Sequence, residues 1–391
     1  MIFDEIFTEE MTESEMNSLI ANNTSFALAL YRQLQAAEGN LFFSPYSISS
    51  ALAMTYAGAK EATRAQMAQA LRFNEDDKLL HAGFKQLREA LEKSGKESGN
   101  RLMVANSLWP QANYRLRRVF LNLVKRYYGV KISRVDYGDA ESARQKINTW
   151  VEEKTEQKIS ELIGPSVLDS LTRLVLVNAI YFKGTWEHTF SADQTYEEPF
   201  HLSQGEAIQA QIMHQKNSFR YSEDEQVQVL ELPYAGKHLS MLVLLPKATD
   251  GLAQLEGSIT QENLKLWQDA LEETEVNVAL PRFELSFPFR LDDALQSMGM
   301  TDAFTGAADF SGMEQTRELY LGAVLHKAFI KVNEEGTEAA AATAVIMQTK
   351  SVSFMSVDFI ADHPFIFLIR DNQTGSVVFL GKLVKPGELL N

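Results

Sequence analysis

Residues 174–182 read Leu174-Val175-Leu176-Val177-Asn178-Ala179-Ile180-Tyr181-Phe182. Asn178 is the one polar side chain in the run. A strand turns alternate side chains to opposite faces, so a run that is apolar on both sets predicts a strand buried on both sides. Such a strand needs a covering layer above and below. The chain on either side of it supplies the candidates.

Upstream the pattern is mostly helical. Residues 16–34 place Leu19, Phe26, Leu28, Leu30 and Leu34 at helical spacing. Residues 40–45 predict a short strand stopped by Pro45, and Ser47 then opens a helix through Ala51, Leu52 and Met54. Residues 62–71 form another helix. Residues 76–94 form an amphipathic one, with Leu79, Leu80, Phe84, Leu87 and Leu91 on one side. Its Lys78, Lys85, Arg88 and Lys93 interleave with Glu89 and Glu92, which reads as a solvated face and not as a polyanion site. Residues 101–109 alternate as a strand, and residues 117–128 and 141–163 are helical.

Downstream the chain turns to strands. Residues 227–232 and 239–245 flank Tyr234-Ala235-Gly236-Lys237, a hairpin signal. Residues 276–280 and 282–286 are strands around Pro281. Residues 263–271 and 291–298 are short helices. Residues 323–332, 352–354, 365–370 and 377–380 are the closing strands. No Pro-, Gly- or Ser-rich linker divides the chain. Helices before residue 165 and strands after it predict an α+β unit. We expect residues 1–15 to be an acidic arm and residues 16–391 a single domain.

The chain has 391 residues, a formal net charge of -15 and no cysteine. A negative field argues against nucleic acid or an anionic membrane as the main partner. Without cysteine there is no disulfide, thiolate nucleophile or cysteine-ligated metal. The apolar runs at residues 241–246 and 365–369 are too short to cross a membrane. Met1-Ile2-Phe3-Asp4-Glu5 lacks the basic start and apolar stretch of a signal peptide. A cytoplasmic protein is therefore expected if the chain is complete, and a secreted or periplasmic one if a signal peptide was removed.

No dinucleotide, phosphate-loop, zinc-protease or nucleophile-elbow motif is present. The seven histidines are scattered, and His363 in Asp362-His363-Pro364 reads as structural. Neither a cofactor nor a metal is expected. One tract stands apart: Glu334-Glu335-Gly336-Thr337-Glu338, then Ala339-Ala340-Ala341-Ala342-Thr343-Ala344. Its small side chains suit a backbone that must enter a crowded place. Alanine also favours helix, so a short surface helix or loop fits the tract equally well.

Several separated strings carry a resemblance. They are Asn40-Leu41-Phe42-Phe43-Ser44-Pro45-Tyr46-Ser47-Ile48, Gly58-Ala59-Lys60 with Thr63, and Asn178-Ala179-Ile180-Tyr181-Phe182-Lys183-Gly184-Thr185-Trp186. Glu231-Leu232-Pro233-Tyr234, Asp309-Phe310-Ser311-Gly312, His326-Lys327-Ala328, the tract from Glu334 to Ala342, and Asp362-His363-Pro364-Phe365 follow. Spread over residues 24–386, they resemble the serpins.

The resemblance implies three β-sheets, eight or nine helices and an exposed reactive-centre loop at about residues 336–360. It implies a suicide inhibitor and not an enzyme. A serine protease attacks the loop, and the cut loop inserts as a new central strand before the acyl-enzyme can be hydrolysed. The hinge would be Glu334, Gly336, Thr337, Glu338, Ala339, Ala340, Ala341 and Ala342, with Gly336 as a flexible pivot. By strand alternation Thr337, Ala339, Ala341, Thr343, Val345 and Met347 would face inward and Glu338 outward. Trp186, Arg282 and Glu334 match the breach at the sheet top, where Arg282 would pair with Glu334. Ser44, Ser47, Asn178 and His326 match the shutter beneath the opening sheet.

In inhibitory members the attacked residue lies fourteen beyond the hinge Gly. That makes Lys350–Ser351 the scissile bond, with Thr349 and Met347 as secondary sites. Lys350 fits the acidic pocket of trypsin-like proteases. The expected partner is such a protease in a covalent 1:1 complex, with the free inhibitor a monomer. The alternative is a non-inhibitory serpin, a carrier or chaperone-like protein. Such members commonly break the hinge with bulky, charged or Pro residues, which this chain lacks.

Overall fold

In the computed structural model the apolar run lies in a strand, Leu174–Thr185, in which only Lys183 and Thr185 are not fully buried. The structure describes residues 11–36, 39–74, 76–202, 205–337 and 356–387. Its helices are α1 (Glu13–Leu34), α2 (Pro45–Tyr56), α3 (Glu61–Leu71), α4 (Asp77–Ser98), α5 (Arg118–Tyr128), α6 (Ala140–Lys154), α7 (Leu252–Ser258), α8 (Gln261–Asp269) and α9 (Asp292–Ser297). Its strands are β1 (Leu41–Phe43), β2 (Arg101–Pro110), β3 (Leu174–Thr185), β4 (Thr195–His201), β5 (Ala207–Glu223), β6 (Val227–Pro233) and β7 (Leu239–Pro246). They continue as β8 (Glu272–Pro281), β9 (Phe283–Arg290), β10 (Ala323–Asn333), β11 (Gly336–Thr337), β12 (Val357–Ile360), β13 (Phe365–Asp371) and β14 (Val377–Leu383). Among the described residues this is an α+β fold with nine α-helices.

One sheet runs β2-β3-β11-β10-β9. The other runs β1-β14-β13-β7-β6-β5-β8-β12, with β4 also on β5. The long β5 joins two regions of that second sheet. Residues 207–213 pair with β4, residues 212–221 with β8, and residues 220–223 with β6. Three sheet regions therefore share two hydrogen-bonded networks.

The alternation in β3 explains its composition. Leu174, Leu176, Ile180 and Phe182 join the main core. Val175, Val177, Ala179 and Tyr181 join a second core with Ile147 and Val151 of α6. Each buried Leu, Val, Ile or Phe side chain among them contributes about 1.5–3 kcal/mol relative to exposure. A polar residue anywhere in the run therefore needs a bonded partner.

Several boundaries differ from the sequence reading for local reasons. Helix α1 begins at Glu13, because Thr12 and Glu15 form a capping box. Helix α2 begins at Pro45 and not at Ser47, since the Ser44 hydroxyl accepts the Ser47 N–H at 3.1 Å and Pro45 fills the first helical turn. Helix α6 ends at Lys154, well short of residue 163. Glu156 and Gln157 turn the chain at φ +49° and +62°, and Asn148 makes two 2.9 Å bonds to the Ile163 backbone. Ile159 and Ile163 are buried from an irregular segment, and their four-residue spacing mimics a helix. The strands around Pro281 belong to different sheets, and Arg282 is the single residue between them. The strand expected at residues 352–354 lies outside the described residues.

Candidate functional site

The upper half of the five-stranded sheet is the chemically distinctive region. Below, β3 and β10 pair directly and in parallel, from Val175 opposite Ala323 to Tyr181 opposite Phe329. Above, they part, and β11 fills the gap. Gly336 and Thr337 pair antiparallel with Asn333 and Val332 of β10 and with Thr185 and Gly184 of β3. The segment after β10 thus turns back through Glu334 and Glu335 and enters the sheet top.

The turn is fastened on every side. The Asn333 carboxamide oxygen accepts the N–H of Glu335 at 3.1 Å and of Gly336 at 3.2 Å. Trp186 Nε1 donates to the Asn333 carbonyl at 3.0 Å, and the Trp186 N–H donates to the Glu335 carbonyl at 2.9 Å. The Trp186 ring stacks on Tyr234, centroids 4.5 Å apart and planes 13° apart. Tyr234 meets the Thr337 hydroxyl at 2.8 Å, and both residues are fully buried.

Arg282 sits where the chain crosses between sheets, its N–H held by the Gln211 carbonyl at 2.8 Å. Its guanidinium binds one carboxylate oxygen of Glu334, with Nε at 2.7 Å and Nη2 on the same atom. Thr195 also donates to that oxygen. Burial pushes the Glu334 carboxyl up, but the bonds from Arg282 and Thr195 outweigh it and hold the group below its usual range.

Gly336 has a stricter role than that of a flexible pivot. Its φ is +145°, and a Cβ there would lie 2.1 Å from the Gly184 carbonyl oxygen and 2.7 Å from Thr185 Cα. Both are backbone atoms, so the position tolerates no side chain while β11 stays in the sheet.

One strand-length below lies a polar row. Asn106 of β2, Asn178 of β3 and His326 of β10 are register partners across three strands. Ser44 and Ser47, at the start of α2, cover the row. The Ser44 N–H donates to His326 Nε2 at 3.1 Å, and the Ser44 hydroxyl donates to the Val378 carbonyl at 2.6 Å. The Asn178 amide nitrogen donates to the Ser47 hydroxyl and to the Asn106 carboxamide oxygen, which also accepts from Ser47 at 3.3 Å. His326 Nδ1 bonds the Asn178 oxygen. Because Nε2 accepts a backbone N–H, the proton sits on Nδ1 and the ring is neutral. Burial lowers its pKa from 6.5 to about 3.

This sets a pH dependence. The folded value lies below the unfolded one, so the stability from a neutral His326 is complete above pH 6.5 and is lost as pH falls toward 3. His81, also buried, is lowered to about 4 and acts in the same direction. Each group should cost about 2 kcal/mol between about pH 8 and pH 5. Urea unfolding at the two pH values measures the loss, and equal stability at both would contradict neutral burial.

Sequence reasoning placed Ser44, Ser47, Asn178, His326, Trp186, Arg282, Glu334, Gly336 and Thr337, and the fold gathers them into these two clusters. It gave no role to Asn106, Thr195, Tyr234 or Asn333. Tyr234 lay within a quoted string, and Asn106 interrupts the 101–109 strand with a polar group. His363 is structural in its contacts, its ring nitrogens 2.7 Å from Asp362 and from the Pro246 carbonyl. Glu338, Ala339, Ala340, Ala341, Ala342, Met347, Thr349, Lys350 and Ser351 lie outside the described residues. Among the described residues no group of three His, Asp or Glu side chains is placed to hold a metal.

A sheet parted at its top, with a returning segment seated between two parallel strands, is the geometry that sets this fold apart. The family model Serpin (serine protease inhibitor) matches residues 21–386. The chain belongs to the serpin family. It is 45% identical over 382 residues to leukocyte elastase inhibitor of Sus scrofa, covering 95% of this chain and all of that protein. Uncleaved ovalbumin superposes with a TM-score of 0.85 at 33% identity, covering 94% of this chain and all of that one. Human thyroxine-binding globulin, complexed with thyroxine, superposes with a TM-score of 0.87 at 31% identity, covering 96% of this chain and all of that one.

Proposed function

We propose that the protein is a suicide inhibitor of trypsin-like serine proteases. Residues 16–391 act as one domain, and the loop at about 336–360 is the bait. The observation that carries the reading is the register of β11. Gly336 and Thr337 already lie antiparallel between β3 and β10. Continuing that register brings residue 346 opposite Ala323, the first residue of β10. Insertion of residues 338–346 would replace one parallel ladder with two antiparallel ones. That adds backbone hydrogen bonds, each worth about 1 kcal/mol net.

The two clusters then have distinct tasks. Arg282, Glu334 and Trp186 steady the hinge base until the loop is cut. Ser44, Ser47, Asn178 and His326, with Asn106, hold the lower sheet closed and satisfy the polar groups exposed as β3 leaves β10. Thr337 faces inward, and the Ala and Thr residues behind it offer little bulk to slow entry. A fast insertion outruns deacylation, and the protease is trapped as its acyl-enzyme.

Lys350 directs the inhibitor to trypsin-like enzymes through an ion pair in their specificity pocket. Met347 and Thr349 are the secondary candidate sites, for elastase- or chymotrypsin-like enzymes, and the similarity to an elastase inhibitor supports that reading. Incubation with trypsin should give an SDS-stable 1:1 complex and release a peptide that begins at Ser351. Mass spectrometry of that peptide reads the bond directly. A different N-terminus would remove Lys350 as the principal site, and a parallel elastase incubation tests Met347 and Thr349. A carrier of the thyroxine-binding kind would be cut without forming any complex.

A further inference from the structure

A cavity of about 550 Å³ opens beside β2, away from the hinge, between α2, α4, α5 and α6. That is within the span of small-molecule sites, about 300–1,000 Å³. Its floor is apolar, with Met54, Leu91, Leu102, Val130 and Trp150 around Val104. Val104 is 37% exposed there.

The charged part of the lining is mainly cationic. Lys131 and Lys154 are exposed among the lining residues, and neither has an ion-pair or hydrogen-bond partner among the described residues. The one lining carboxylate, Glu92, is already bound by Arg88 at 2.7 Å. Arg88 Nε is buried with no partner. Residues 101–135 contain eight Arg or Lys and no Asp or Glu, in a chain of net charge -15. A cationic mouth over an apolar floor is complementary to a ligand with an anionic head and a hydrocarbon tail.

We propose that this cavity binds an anionic amphiphile, a single-chain carboxylate whose tail lies on Val104, Leu91 and Trp150 and whose head meets Lys131 and Lys154. The site lies apart from the hinge, and Asn106 of the polar row is among its lining residues. Titration calorimetry of the full chain with decanoate, decanol and acetate tests it. Decanoate should saturate a single site, and acetate should give no signal. Loss of the head charge should weaken decanol by about tenfold. Lys131→Glu with Lys154→Glu should weaken decanoate by a similar factor and leave decanol unchanged. Val104→Trp should fill the floor and remove both ligands, with circular dichroism and melting temperature reporting an intact fold. Decanol binding as tightly as decanoate, decanoate that does not saturate, or binding that survives both variants would each overturn the proposal.

Discussion

Cleavage within the reactive loop is expected to raise the melting temperature on the order of 10–20 °C, despite the broken backbone. The motive is the unfinished state of the five-stranded sheet. Among the described residues only Gly336 and Thr337 lie between β3 and β10, and the same register, continued, would set residues 338–346 along the rest of β10 once β3 parts from it. Cutting after Lys350 frees that segment to complete the strand. New hydrogen bonds of about 1 kcal/mol each sum to on the order of 10 kcal/mol, before side-chain burial is counted. The intact protein would then be a kinetically trapped form above a more stable cleaved one. A nick in an ordinary rigid fold leaves stability unchanged or lower. Differential scanning calorimetry before and after complete loop cleavage decides the matter. A melting temperature that stays put would refute insertion and leave a non-inhibitory serpin.

Thr337→Arg is expected to turn the inhibitor into a substrate. Thr337 is fully buried and bonded to Tyr234 at 2.8 Å, with the Gly184 backbone alongside. An arginine there must bury an unpaired charge or drive β11 out of the sheet. Burial without a partner costs about 3–5 kcal/mol. Insertion slows, deacylation wins, and the yield of SDS-stable complex should fall at least about tenfold while loop cleavage continues. Glu338→Arg is the control, because alternation along an inserted strand would turn residue 338 to the outer face. Equal complex yield from Thr337→Arg and the parent would contradict the account.

The secondary structure was legible wherever periodicity was strong. The run at residues 174–182 specified a doubly buried strand, and the hairpin at Tyr234-Ala235-Gly236-Lys237 formed as its turn residues require, with Gly236 and Lys237 at φ +78° and +56°. Misreadings came where local pattern imitated another element. The spacing of Ile159 and Ile163 imitated one more helical turn, and the cap at Ser44 shifted the start of α2.

Sequence by itself determined that β3 must be covered on both faces, that Asn178 within it must find a polar partner, and that the tract from Thr337 onward could enter a tight space. These are properties of a side chain and its near neighbours. Tertiary structure decided how the partners meet, and no property of the local sequence names them; the Arg282–Glu334 pair was expected only through the family resemblance. Asn106, Asn178 and His326 are 72 and 148 residues apart along the chain, and strand register sets them in one row. Arg282 reaches Glu334, 52 residues away, because β8 and β9 enter different sheets on either side of it. Gly336 is required as glycine because the backbone of β3 passes against it, a contact formed only once β11 is seated. Hydrophobic periodicity has no term for register between distant strands. The two clusters, at the sheet top and beneath it, are therefore written in the packing.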